Sequence, residues 1–173
     1  MFHRTILVAL LVAGAAVAEE RFGVKGQFVP SGSISYTHVS VANTSAYEIT
    51  LAPGLLWFPF NAVAVGGSVS YQHVSGLFGG STNSFALGPL LGVAFPLADR
   101  VALFPRVGID FSWLWPPVGA SQNAITLVAV APVLFFPAPH FFLGFGPNFQ
   151  VDLKRTGATE TLLGLTSEIG GYF

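Results

Sequence analysis

"RVALFPRVGIDFSWLW", residues 100–115, decides the fold by its spacing in twos. Its odd positions read Val101, Leu103, Pro105, Val107, Ile109, Phe111, Trp113 and Trp115. The even ones read Arg100, Ala102, Phe104, Arg106, Gly108, Asp110, Ser112 and Leu114. Successive side chains of a strand point to opposite faces, so one face is apolar and the other small, polar or charged. Phe141–Leu153 repeats the pattern, with Phe141, Leu143, Phe145, Pro147, Phe149, Val151 and Leu153 against Phe142, Gly144, Gly146, Asn148, Gln150 and Asp152.

Composition says what the apolar face meets. Only 9% of the residues are charged, 52% are hydrophobic, and mean hydropathy is +0.65. A soluble domain carries about 25–35% charged residues on its surface. This chain's surface is therefore expected to face something other than water. Helices are a poor vehicle, because "LAPGLLWFPFNAVAV" and "TLVAVAPVLFFPAP" meet Pro or Gly before reaching the roughly 18 apolar residues of a span. Near-neutral charge gives no basic footprint for nucleic acid. Without cysteine there is no disulfide framework and no thiolate chemistry.

Eight alternating segments fit, at about 22–38, 47–60, 63–74, 82–97, 100–115, 123–136, 141–153 and 161–173. Tight connections near Asn61, Ala98-Asp99 and Pro137–Pro139 alternate with longer ones at Val41–Ala46, Ser75–Ser81, Pro116–Gln122 and Lys154–Glu160. In lipid every backbone group must be paired, so the strand-based solution is a closed barrel. The expected fold is all-β, an eight-stranded antiparallel up-and-down transmembrane β-barrel over residues 19–173. Residues 1–18 read as a cleaved secretory signal peptide: Arg4, an apolar run from Ile6 to Val17, and Ala16-Val17-Ala18 as the small-x-small site. The even strand count places both termini on the tight-turn, periplasmic side.

Aromatic residues fall into two girdles. Tyr36, Tyr47, Tyr71, Phe85, Trp113 and Trp115 belong to the loop side, and Trp57, Phe95, Phe141 and Phe173 to the tight-turn side. Tyr47 and Trp57 are ten residues apart on one face. At about 3.3 Å per residue and a tilt near 40–45°, they are separated by roughly 23–25 Å of height, that of a lipid-facing band. Pro53, Pro89, Pro105, Pro132 and Pro147 fall inside proposed strands, where a belt of bulges or opened ladder is expected.

The signal peptide, the alternating strands and the terminal "EIGGYF" resemble the small eight-stranded outer-membrane β-barrel proteins of Gram-negative bacteria, the OmpA/OmpX/OmpW size class. The resemblance covers the whole mature chain. It implies residence in outer-membrane lipid and recognition of the terminal Phe173 by the barrel-assembly machinery. By analogy with OmpW-like barrels it also implies a pocket for a small hydrophobic solute.

Inward parity gathers Lys25, Gln27, Glu48, Arg106, Asp110, Gln150, Asp152 and Glu168. An internal salt-bridge network is expected, with Lys25 brought toward Glu168 where strand one meets strand eight. A charge-lined passage is the functional alternative. Phe58, Phe60, Phe104, Phe136, Phe142 and Tyr172 also point inward near the periplasmic rim and would plug that end. Eight strands enclose a space that side chains fill or that one small ligand occupies.

"THVS" (37–40) and "QHVS" (72–75) put His38 beside Ser40 and His73 beside Ser75, on the outward face near the outer rim. The spacing is similar to the His-x-Ser pair of outer-membrane lipid A deacylases. A triad also needs a group that orients the histidine. Glu48 has the opposite parity, and no other acid is evident on that face. No catalytic residue, metal site or cofactor is therefore assigned; the four histidines are too scattered for a metal. The expected function is a structural outer-membrane barrel or a narrow porin-like passage for small solutes. A lipid-modifying hydrolase and an adhesion barrel are the alternatives.

Overall fold

The computed structural model describes residues 21–41, 44–76, 80–117, 119–155 and 161–173. The expected signal peptide lies outside the described residues. Among the described residues eleven strands form one antiparallel sheet: β1 (Phe28–Val41), β2 (Thr44–Phe60), β3 (Val63–Ser75), β4 (Ser81–Val93), β5 (Phe95–Ala98), β6 (Val101–Leu103), β7 (Arg106–Trp115), β8 (Gln122–Val130), β9 (Val133–Ala138), β10 (Phe141–Arg155) and β11 (Thr161–Gly171). β4 with β5, β6 with β7, and β8 with β9 are single passes broken in two, so the wall has eight passes. β11 pairs with both β10 and β1, which closes the sheet into a barrel. At the seam Phe28 and Phe173 exchange both backbone bonds, at 2.9 and 3.0 Å. The last residue is a full member of the wall.

The breaks answer the question the prolines raise. Proline has no N–H to give a ladder. One break spans Phe104-Pro105 and another Ala131-Pro132, where the expected segments 100–115 and 123–136 each split. Their carbonyls stay tied: Val93 N–H donates to Pro105 O at 3.0 Å, and Phe104 N–H to Pro132 O at 2.9 Å. Around Pro53 and Pro89 the strand continues, but one neighbouring ladder pauses. Pairing of β2 with β3 steps from Leu51↔Tyr71 to Gly54↔Ser68, and pairing of β4 with β7 from Leu87↔Phe111 to Leu90↔Gly108.

Three expectations need correction. Residues 22–27 are not strand: they fold into two turns, because Gly23 (φ +92°) and Gly26 (φ +96°) take the left-handed region and reverse the chain. The connection expected to be longer near Val41–Ala46 is short, since β1 ends at Val41 and β2 starts at Thr44. A register shift between Trp57 and Phe60 changes the facing at the end of β2.

The molecule is apolar on its outside. Ile34, Leu55, Leu91, Val107, Phe145, Leu163 and Leu165 are exposed. The buried core sits instead inside the barrel, near the tight-turn rim: Val29, Leu56, Phe58, Ala64, Ala94, Phe104, Leu134, Phe142 and Tyr172.

Candidate functional site: the lumen and its two rims

The turns at residues 22–27 place the side chain that organises the lumen. Gln27, 3% exposed, accepts from Gly23 N–H (2.8 Å) and Val24 N–H (3.1 Å) and donates to Arg21 O (2.9 Å). Held this way, the hook inserts Phe22 among five rings, those of Phe58, Phe104, Phe136, Phe142 and Tyr172. Centroid separations run from 5.1 to 5.9 Å, in edge-to-face or tilted geometry. Each such pair adds about 0.5–1.5 kcal/mol beyond area burial. Backbone bonds fasten the hook to the wall, from Gly26 N–H to Phe58 O and from Ala62 N–H to Gly23 O.

Phe58, Phe104 and Phe142 are fully buried in this cluster, Tyr172 nearly so, and Phe136 packs against them. Phe60 does not join them. It is 66% exposed, because the register shift after Trp57 turns it outward. Phe22 takes the central place that sequence parity left unassigned. Its signal was the Gly23/Gly26 pair, which breaks the strand reading.

Directly above lies a buried ion pair. Arg106 on β7 donates from Nη2 to Glu168 Oε2 on β11 at 2.5 Å, with the two side chains 7% and 8% exposed. These strands are not neighbours in the sheet, so the pair bridges the lumen. The guanidinium also lies 5.1 Å from the Phe104 ring centroid. Glycines make the room: a Cβ on Gly144 would stand 2.6 Å from Glu168 Cγ, and one on Gly92 2.9 Å from Arg106 Cγ.

Lys25 does not meet Glu168, contrary to expectation. It lies exposed in the hook, with its backbone N–H bonded to Asn61 Oδ1. The turns displace it from strand one, and Arg106 is the partner instead.

Toward the loop rim the lumen stays polar. Glu48 Oε1 accepts from Gln72 Nε2 (2.9 Å) and Thr50 Oγ1 (3.2 Å), and Ser84 Oγ donates to Gln72 Oε1 (3.1 Å). On the other wall Thr126 Oγ1 donates to Asp152 Oδ1 at 2.9 Å. Asp110 shares a row with Thr126 and Asp152. Asp110 Oδ1, Asn148 Oδ1, Arg106 Nε and Glu168 Oε1 are buried without a partner among the described residues.

The expected girdle residues line the outer surface at its two ends. Tyr36, Tyr47, Tyr71, Trp113 and Trp115 are exposed toward the loop rim, with Phe85 half-buried in the Tyr71–Phe85–Trp113 row. Trp57, Phe95 and Phe173 are exposed near the other rim, where Phe141 is half-buried. Phe28 stacks on Trp57 at 6.4 Å, and His140 on Phe173 at 6.2 Å.

The two His-x-Ser stretches differ in surroundings. His38 stands opposite Tyr47, and the Ser40 side chain lies outside the described residues. His73 stands opposite Asn83, whose Oδ1 lies 2.8 Å from His73 Nδ1. Among the described residues no group of three or more His, Asp or Glu is placed to hold a metal.

No protein-family model matches the chain, and no curated protein matches it in sequence.

Proposed function

We propose that this protein is an integral outer-membrane β-barrel of a Gram-negative bacterium, with both termini periplasmic and a lumen stoppered at the periplasmic end. The observation that carries this reading is the inverted surface: an apolar outer face between two aromatic belts, around an interior that holds an ion pair and carboxylates. Such an outside is costly in water and fits a bilayer. The protein is not an enzyme in this reading. It acts as a structural barrel, and the Phe22-centred cluster keeps it from being an open pore. Phe173, paired with Phe28 at the seam, is the residue the assembly machinery would read.

A second reading is a narrow passage for a small solute. The polar upper lumen around Glu48, Gln72 and Asp152 favours it. Fractionation tests the main reading. The protein should stay in the outer-membrane pellet through a urea wash and migrate anomalously on gels unless boiled. Recovery as a soluble periplasmic protein would contradict it.

A further inference from the structure

We infer that the loop-side half of the seam between β1 and β11 is a docking edge for an extended peptide in which apolar residues alternate with basic ones. The inference rests on the membrane reading above. β1 pairs with β2 along its whole length, from Phe28↔Trp57 to Val41↔Thr44, and β11 with β10 from Phe141↔Gly171 to Val151↔Thr161. β1 and β11 pair with each other only at Ser31↔Gly170 and Gly32↔Ile169, below which Phe28 and Phe173 exchange their backbone bonds. The same register continued would set Ser33 against Glu168 and Ser40 against Thr161, yet among the described residues no such pair forms. At about 3.3 Å per residue, each strand leaves roughly 23 Å of edge without a partner. Side-chain exposure reports the same gap. The three most exposed of the large apolar residues described are Leu163 (78%), Ile34 (71%) and Leu165 (70%), and all three flank it.

An open edge in hydrocarbon leaves N–H and C=O groups where water does not reach them. A lipid tail has no donor or acceptor to offer. A backbone has both, at the strand's own spacing, so the occupant that fits is another strand, added to the edge of β1. Its alternate side chains then face bilayer and lumen. Those facing out join Ile34, Leu163 and Leu165 and are apolar. Those facing in meet carboxylates: Glu48 lies on β2 in register with Thr37, and Asp152 lies on β10 just beyond the Val151↔Thr161 pair. Among the described lumen side chains the cation is Arg106, and it is committed to Glu168. Basic residues at the inward positions therefore complement the lumen. There is room for them, since a Cβ on Gly164 would meet only the Leu162 side chain, at 3.7 Å.

The test uses the full chain in phosphatidylcholine nanodiscs and a dye-labelled octapeptide of alternating Leu and Lys, read by fluorescence anisotropy and amide hydrogen exchange. The peptide should bind saturably and slow exchange at the edge-facing amides of residues 33–41. N-methylation of its alternate residues, which removes the N–H groups along one edge, should weaken binding at least about tenfold, the scale of losing several hydrogen bonds. Glu in place of each Lys should also weaken it, and Glu48→Gln with Asp152→Asn should remove most of that preference for Lys. The chain has no cysteine of its own, so Ser35→Cys with Thr166→Cys, opposite each other in the continued register, can lock the seam. Oxidised, this variant should lose the peptide; reduced, it should bind as the unmodified chain does. Equal binding of the N-methylated peptide, or binding to the oxidised seam, would overturn the inference. So would a folded, heat-modifiable barrel that ignores the peptide. Edge amides already protected before peptide is added would mean a zipped seam or a second copy on the edge, and would overturn it too. A chain that fails to enter bilayers would overturn the membrane reading, and this inference with it.

Discussion

Phe22 shows how one side chain changes the character of a barrel. Its ring fills the centre of a circle of five others, so its removal leaves a hole on the axis of the lumen and not at its wall. Narrow apolar constrictions dewet, and an ion crossing one sheds water without polar replacement. The intact protein should therefore show little steady conductance in planar bilayers. Phe22→Ala, and more strongly Phe58→Ala with Phe104→Ala, should open measurable current. Stable large channels in the unmodified protein would refute the stopper. Immediately above, Arg106 and Glu168 form a buried pair with almost no access to solvent. Removing one partner strands the other charge, so Glu168→Ala should cost about 3–5 kcal/mol in urea unfolding. Arg106→Met with Glu168→Leu should recover much of that loss. Parity alone reads Phe58, Phe104, Phe142, Tyr172, Arg106 and Glu168 as inward, and burial places all six inside. The pairing of Arg106 with Glu168 was not legible. It depends on which strands face each other across the lumen, and alternation along one strand carries no such information.

At the scale of the element, the strands tolerate prolines in two ways, and both lean on close backbone approach. Where a pass breaks, the loosened chain presses on a glycine of its neighbour. A Cβ on Gly146 would meet the Ala131 carbonyl and stand 2.5 Å from Pro132 Cα, both backbone atoms that cannot rotate away. Gly146→Ala should therefore destabilise the barrel by about 1–3 kcal/mol or more, the range of overpacking. Gly164→Ala on β11, whose nearest neighbour is the Leu162 side chain at 3.7 Å, should be nearly silent. Equal unfolding midpoints for the two variants would contradict this account of the breaks. The same physics marks the boundary of what sequence reveals about elements. Alternation found all eight passes, since each is long and faces lipid-like and lumen-like surroundings in turn. It could not say that three are broken: at Pro105 and Pro132 a proline in a strand is compatible with a bulge, a pause or a break, and the third break, at Ala94, carries no proline at all. It also missed the hook at 22–27. Val24 and Gln27 continue a plausible alternation, and only the left-handed Gly23 and Gly26 reverse the chain.

For the whole molecule, the decisive property is inversion: packing and charge inside, large apolar side chains outside. Fold class and closure followed from composition and spacing together, because a chain with 9% charged residues has too few to cover itself in water. The identity of a solute did not follow. It depends on the shape of the upper lumen, which the even positions populate with small and polar residues without fixing a ligand. The outer surface carries the central claim, and the three tryptophans report on it, with Trp57 near one rim and Trp113 and Trp115 near the other. The most direct measurement is quenching of their fluorescence in bilayers of lipids brominated at defined depths. Quenching should be strongest for bromines close to the headgroups and weakest for those at the chain ends, as expected for two interfacial belts. Emission that no depth of bromine affects would mean that this face does not meet lipid, and would contradict the account.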